Sequence, residues 1–171
     1  MGTATLISPD EYLATSYHPD CDFVDGVLLE RNVGEKDHSV LQGEVFSWFR
    51  QRRRALGVAA FPELRIRIRP ARFRVPDVTV VLLPEPDEQV LTQAPYICVE
   101  ILSPEDTLPR LQSRIDDYLE MGVPNVWVLD PTERRAWTAS PSGLTEVRDG
   151  ILRTLDARIA LPIAELYAER D

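Results

Sequence analysis

Two carboxylates lie in segments that are otherwise apolar, where an ionisable side chain is costly. Glu100 lies within the strand-like segment 96–102, and Asp77 lies near the start of a second such segment, 75–83. A buried carboxylate is paired, protonated or bound to a metal, because burial of an unpaired charge is unfavourable. On adjacent strands the two groups could converge on one Mg²⁺, which is commonly held by one or two carboxylates. The alternatives are a salt bridge between Glu100 and a core arginine, and a strand-edge turn at Asp77.

A cation follows on the next predicted helix. Arg114 lies one turn before Tyr118, at the edge of the apolar stripe, so its guanidinium could face the sheet. Near a metal site it would stabilise charge on a transition state, and Tyr118 would orient it. It could not act as a base, because the pKa of arginine exceeds about 12. The alternative is a simple ion pair with Asp117 three residues later.

Three further polar residues precede this region. Asp22 and Asp25 could each bring another carboxylate to the site, although Asp25 before Gly26 is more typical of a tight turn. His38 could be a metal ligand or a phosphate contact, but a histidine at a helix start is more often a cap or a packed residue.

Other chemistries lack their motifs. The chain contains no glycine-rich dinucleotide loop, P-loop, CxxC pair, GxSxG turn or HExxH motif. We therefore expect no nucleotide cofactor. Lys36 is the single lysine among 19 basic residues, so a mechanism that needs a lysine has one candidate.

Composition indicates an ordinary globular chain. It has 171 residues, 44% hydrophobic and 27% charged, which predicts one domain spanning residues 1–171. Two cysteines are too few for a disulfide framework, and neither a signal peptide nor a membrane span is evident. A cytoplasmic location without membrane association is expected.

Charge is unevenly distributed along the chain. The net charge is −9, yet residues 31–74 carry 11 basic and four acidic side chains. This asymmetry suggests a polyanion-binding face, although an uneven but merely solvating surface is an equal alternative.

The hydrophobic pattern predicts mixed α/β structure. Helices are expected at 9–15, 37–56, 108–121 and 161–169, and a hairpin around Asp25-Gly26. Strands are expected at 63–69, 75–83, 96–102 and 126–129, followed by an antiparallel appendage from residue 135 onward. The continuous apolar strands are typical of a sheet that is covered on both faces.

Several segments together resemble a known family. VPDVTVV, VEILSPED and RIDDYLEMGVPNVWVLDP, with the hairpin DFVDGVL, resemble the Uma-type restriction endonuclease family, a bacterial branch of the PD-(D/E)XK nucleases. The likeness covers roughly residues 5–135. It implies a restriction-endonuclease-like core, in which a mixed sheet is flanked by helices.

The resemblance also implies roles for individual residues. Asp77 would be the motif aspartate and Glu100 the second carboxylate that holds Mg²⁺ or Mn²⁺, while Asp22 matches a usual glutamate. Leu102 occupies the usual lysine position, and the family's alternative lysine on the next helix corresponds to Arg114. Arginine keeps the charge but not the compact ammonium, so the chain departs from the pattern.

The expected substrate is DNA. Phosphates would be neutralised by arginines at 50–54 and 65–74, in particular Arg52, Arg53, Arg65, Arg67 and Arg69. The resemblance also implies a homodimer. The alternatives are a catalytically degenerate fold that binds nucleic acid or protein, and a hydrolase of another phosphate ester.

Overall fold

The computed structural model describes residues 6–32 and 34–168. The helices in these ranges are α1 (Pro9–Ala14), α2 (Lys36–Gln51), α3 (Arg53–Leu56) and α4 (Leu108–Met121), with a 3₁₀ helix at Ile163–Leu166. The strands are β1 (Cys21–Val24), β2 (Val27–Glu30), β3 (Val58–Pro62), β4 (Ile66–Arg69), β5 (Arg72–Arg74), β6 (Val78–Leu82), β7 (Ile97–Ile101), β8 (Asn125–Asp130), β9 (Arg135–Ser140), β10 (Gly143–Glu146), β11 (Ile151–Arg153) and β12 (Ala160–Pro162).

A six-stranded mixed sheet carries the site. Its order is β10-β9-β8-β7-β6-β3, and β7 and β8 are parallel while the other neighbours are antiparallel. A four-stranded antiparallel sheet, β2-β1-β5-β4, and the pair β11-β12 complete the structure.

Helices cover both faces of the large sheet. On one face, α2 contributes the buried residues Leu41, Val45, Trp48 and Phe49 to a core that includes β6, β7 and β8. On the other face, α4 contributes Leu111, Ile115 and Tyr118 to a second core. The predicted mixed α/β fold, with a sheet covered on both sides, is confirmed.

The N-terminal elements form as their local sequence predicts. Ser8 caps α1 by accepting a hydrogen bond from the Glu11 amide at 3.1 Å. Asp25 and Gly26 have φ values of 51° and 91°, as a two-residue type I′ turn requires, and join β1 to β2.

Three predicted elements differ from the structure. The helix predicted at 37–56 breaks at Arg52, whose guanidinium lies 4.4 Å from the Trp48 ring centre and pairs with Glu165. The strand predicted at 63–69 begins only at residue 66, because Glu63 has a positive φ of 50° and turns the chain out of β3.

The third difference is at the C-terminal end. The helix predicted at 161–169 is wrong. Leu161 and Pro162 are extended and pair with β11, and a single 3₁₀ turn follows them. Residue 169 lies outside the described residues. Within 6–32 and 34–168, no helix is long and apolar enough to cross a membrane.

Candidate active site

A cleft of about 640 Å³ lies where the start of α2 and the start of α4 meet the edges of both sheets. It brings together most of the predicted site residues. The lining includes Asp22, His38, Asp77, Glu100 and Arg114, together with Arg31, which the sequence analysis did not single out.

Asp77 and Glu100 come from neighbouring strands. In the β6–β7 pairing, Val78 lies opposite Val99, so continuing the register by one residue brings Asp77 opposite Glu100. Side chains directly opposite each other on antiparallel strands are typically about 5 Å apart at Cβ. Both residues are about 1% exposed. The fold therefore places two carboxylates at one buried point of the cleft.

Asp77 is held by donors on both oxygens. Its Oδ2 accepts a hydrogen bond from the Ile101 amide at 2.7 Å, and its Oδ1 accepts one from Arg31 Nη2. His38 Nε2 lies 3.4 Å from the same Oδ1. Burial by itself would raise the pKa of Asp77, but Arg31 and His38 outweigh burial and lower this pKa.

The pKa of His38 shifts in the opposite direction to that of Asp77. Burial alone would lower the pKa of the imidazole, but the Asp77 carboxylate outweighs this effect and raises the pKa. The first turn of α2 therefore holds a histidine that favours its protonated form beside a carboxylate that favours its ionised form.

Glu100 faces a different set of partners. Tyr118 donates a hydrogen bond to its Oε1, and Arg114 Nε lies 3.0 Å from its Oε2 in an ion pair. Arg114 Nη2 also donates to Asp106 at 3.1 Å. Burial raises the pKa of Glu100, and the nearby Asp77 charge adds to this effect although Arg114 opposes it.

The alternative ion pair between Arg114 and Asp117 is wrong, because Asp117 belongs to another network. Arg74 donates to Asp117 Oδ2 at 2.6 Å and to Asp22 Oδ2 at 2.9 Å, and Val75 N donates to Asp22 Oδ1 at 3.0 Å. Arg72 also donates to Asp117, at 2.8 Å. Both oxygens of Asp22 thus have partners inside the chain.

Each of the three buried acids that line the cleft therefore has an arginine partner within the chain. The pairs are Asp22 with Arg74, Asp77 with Arg31, and Glu100 with Arg114. The sequence analysis did not single out Arg31. It counted Arg74 among the arginines at 65–74 that were expected to neutralise phosphates, whereas the structure pairs Arg74 with Asp22 and Asp117. The available signal was indirect: buried carboxylates need partners, and nearly every basic residue is an arginine.

The five arginines expected to bind phosphate lie in different places. Arg65 lines the cleft, donates to the Thr15 carbonyl at 3.1 Å and lies 3.8 Å from Asp20. Arg67 stacks over Phe73 at 5.5 Å. Arg69 pairs with both Asp25 and Glu120.

The other two arginines lie at the far end of α2. Arg52 pairs with Glu165, and Arg53 pairs with Glu85 at 3.1 Å. At about 1.5 Å per residue, the helix carries Arg52 roughly 21 Å from His38. The structure therefore does not gather the five arginines at one surface of the cleft.

The donor chemistry fits a hard divalent cation. Asp77 and Glu100 supply carboxylate oxygens, which Mg²⁺ and Mn²⁺ prefer, and two carboxylates suffice when water and phosphate complete the coordination. Across the described ranges, no group of three or more His, Cys, Asp or Glu side chains forms a ready-made cluster. Such a cation would compete with the Arg31 and Arg114 guanidinium groups, which already contact these carboxylates.

Two comparisons with known proteins found a match. The family model Uma2, described as "Putative restriction endonuclease", matches residues 9–162. A solved structure described as a putative nuclease belonging to DUF820, from Anabaena variabilis ATCC 29413, superposes with a TM-score of 0.79. The two chains are 23% identical, and the match covers 95% of this chain and 98% of the other. The likeness shows a common fold. No curated protein matches this chain.

Proposed function

The chain belongs to the Uma2 family of restriction-endonuclease-like proteins, and we propose that it hydrolyses DNA phosphodiester bonds with Mg²⁺ or Mn²⁺. The observation that carries the proposal is the buried pair of carboxylates, Asp77 and Glu100, on neighbouring strands at the cleft. A homodimer, in which two clefts would face the two strands of a duplex, is part of this proposal.

In this proposal Asp77 and Glu100 hold the cation. When bound, such an ion lowers the pKa of a coordinated water and stabilises charge on the phosphoryl oxygens. The Ile101 amide fixes the orientation of Asp77, and the Tyr118 hydroxyl fixes that of Glu100. Arg114, which is held between Glu100 and Asp106, would place positive charge beside the phosphate.

The ionised state of Asp77 is compatible with this role. Arg31 and His38 lower the pKa of its carboxyl, and the ligand of a cation must be ionised. Glu100 has a raised pKa, and a bound cation would favour its ionised form because opposite charges attract.

The test is cleavage of plasmid and single-stranded DNA with Mg²⁺ or Mn²⁺. Asp77→Asn and Glu100→Gln keep the side-chain shape and remove the charge, so both should abolish cleavage. Glu105→Gln, a substitution of an exposed acid on the loop after β7, is the matched control and should cleave like the wild type. Circular dichroism of each variant checks that the fold is intact.

A second function is favoured by one specific observation. Asp77, Glu100 and Asp22 each pair with an arginine of the chain itself, as expected of a degenerate nuclease fold that binds nucleic acid or protein without cleaving it. If the wild type fails to cleave DNA while binding it in a salt-sensitive manner, this second function replaces the first.

A further inference from the structure

Both oxygens of Asp77 already have partners within the chain. Oδ2 receives the Ile101 amide, whereas Oδ1 is contacted by Arg31 Nη2 and lies 3.4 Å from His38 Nε2. A backbone amide in a strand cannot leave without breaking the strand. A cation that binds Asp77 through Oδ1 therefore competes with the positive guanidinium of Arg31 at this oxygen.

The second amino group of Arg31 has no partner among the residues that the structure describes. This group, Nη1, is buried, although the side chain lines the cleft. An unsatisfied buried donor is unfavourable, so a group of this kind is suited to a ligand that brings acceptor oxygens. Guanidinium groups bind phosphate oxygens in a forked geometry.

The neighbouring arginines are not equivalent to Arg31. Arg74 uses Nε, Nη1 and Nη2 for Asp117, Asp22 and Ser113, and is 2% exposed. Arg114 is shared between Glu100 and Asp106. Arg31 pairs with one carboxylate and follows directly after β2, so its side chain can move without disturbing a helix.

We propose that Arg31 is an exchange residue. Its guanidinium neutralises Asp77 until a divalent cation binds this carboxylate, and the released guanidinium then donates hydrogen bonds to the substrate phosphodiester. The inference rests on the proposed function, and Arg31 is the residue that would couple the binding of the cation to the binding of the phosphodiester. Cation and phosphodiester then bind cooperatively, because each favours the position of Arg31 that the other requires.

Calorimetric titration with Mn²⁺ alone tests the first half of the exchange. Arg31→Ala should bind Mn²⁺ about tenfold more tightly than the wild type, because the competing cation is gone. Arg31→Gln keeps a neutral donor and should also bind more tightly, and it serves if the alanine variant does not fold. Arg110→Ala is the control, since Arg110 lines the same cleft but donates to the Glu30 carbonyl and not to Asp77. The Mn²⁺ affinity of Arg110→Ala should equal that of the wild type.

Dimethyl phosphate, a simple phosphodiester anion, tests the second half. Its presence should tighten Mn²⁺ binding by the wild type several-fold and leave the affinity of Arg31→Ala unchanged. An Mn²⁺ affinity that is equal or weaker in both folded Arg31 variants overturns the proposal, and so does an equal effect of dimethyl phosphate on wild type and variant.

DNA cleavage separates this inference from the proposed function. If the wild type cleaves DNA but the Arg31 variants bind Mn²⁺ no more tightly, the exchange is wrong and the nuclease stands. If Mn²⁺ binding depends on Arg31 as expected but no DNA is cleaved, the exchange stands and the nuclease function is wrong.

Discussion

Replacement of Arg74 by methionine should destabilise the protein strongly. Arg74 is 2% exposed and donates to Asp117, Asp22 and Ser113 at 2.6, 2.9 and 2.9 Å. Methionine fills part of the volume but leaves two buried carboxylates without this cation. Removal of one partner from a buried ion pair typically costs about 3–5 kcal/mol.

The measurement is urea unfolding followed by circular dichroism, with linear extrapolation to water. For a chain of this size, 1 kcal/mol corresponds to about 2–4 °C in Tm, so a fall of roughly 6–20 °C should accompany the loss. Arg53→Met is the matched control, because Arg53 and Glu85 form a half-exposed pair with side-chain exposures of 42% and 41%. An exposed pair contributes less than about 1 kcal/mol.

A second variant tests the physical cause. Adding Asp22→Asn to Arg74→Met removes the carboxylate that this substitution leaves without a cation, since Asp117 keeps its contact with Arg72. The double variant should therefore recover part of the lost free energy of unfolding. The reasoning is refuted if Arg74→Met costs no more than Arg53→Met, or if the double variant is less stable by the sum of both single losses.

Three further results are expected. The pKa of His38 is raised above 6.5, so its positive charge stabilises the fold below that pH, and this stabilisation is lost as the pH rises through the raised pKa. The difference in free energy of unfolding between wild type and His38→Gln should therefore be larger at about pH 5.5 than at about pH 9. Equal differences at the two pH values would contradict this prediction. DNA binding can be followed by fluorescence anisotropy, and the logarithm of the binding constant plotted against the logarithm of the salt concentration. Arg65→Ala should reduce the steepness of this plot by about one, whereas Arg53→Ala should leave it unchanged. Equal slopes for the two variants would argue against a phosphate contact of Arg65 at the cleft. Arg114→Ala should slow single-turnover DNA cleavage about 100-fold or more. Arg114→Lys should restore part of the rate, because lysine returns the positive charge but not the guanidinium contact with Asp106. A wild-type rate in Arg114→Ala would remove this residue from the mechanism.

The main helices and strands could be predicted because the hydrophobic pattern of each segment matches its burial in the fold. Helix α4 matches its predicted bounds, since the apolar stripe, Pro109 and the glycine at 122 all point to the same limits. Strands β6, β7 and β8 were identifiable as continuous apolar runs. Strand β3 was missed because Val58–Pro62 contains two alanines and a proline, which have low strand preference.

The candidate site was predictable only in part. Asp77 and Glu100 stand out since each interrupts an apolar run, and the structure places both at the cleft. Arg31 and Arg74 could not be assigned, because their partners are 46 and 52 residues away in the sequence. Arg74 meets Asp22 through strand pairing within the small sheet, and Arg31 meets Asp77 through the packing of the two sheets. Local patterns do not encode either pairing.

The position of Arg31 also affects the order of folding. Arg31 directly follows strand β2 of the small sheet, whereas its partner Asp77 directly precedes strand β6 of the large one. Contacts between residues this far apart form late, since long loops must close first. Until the small sheet docks, the Asp77 carboxylate remains hydrated, so docking and burial of this charge should occur in one cooperative step. Substitutions at Arg31 should then act mainly on the rate at which the two sheets come together or separate, which stopped-flow refolding and unfolding would measure.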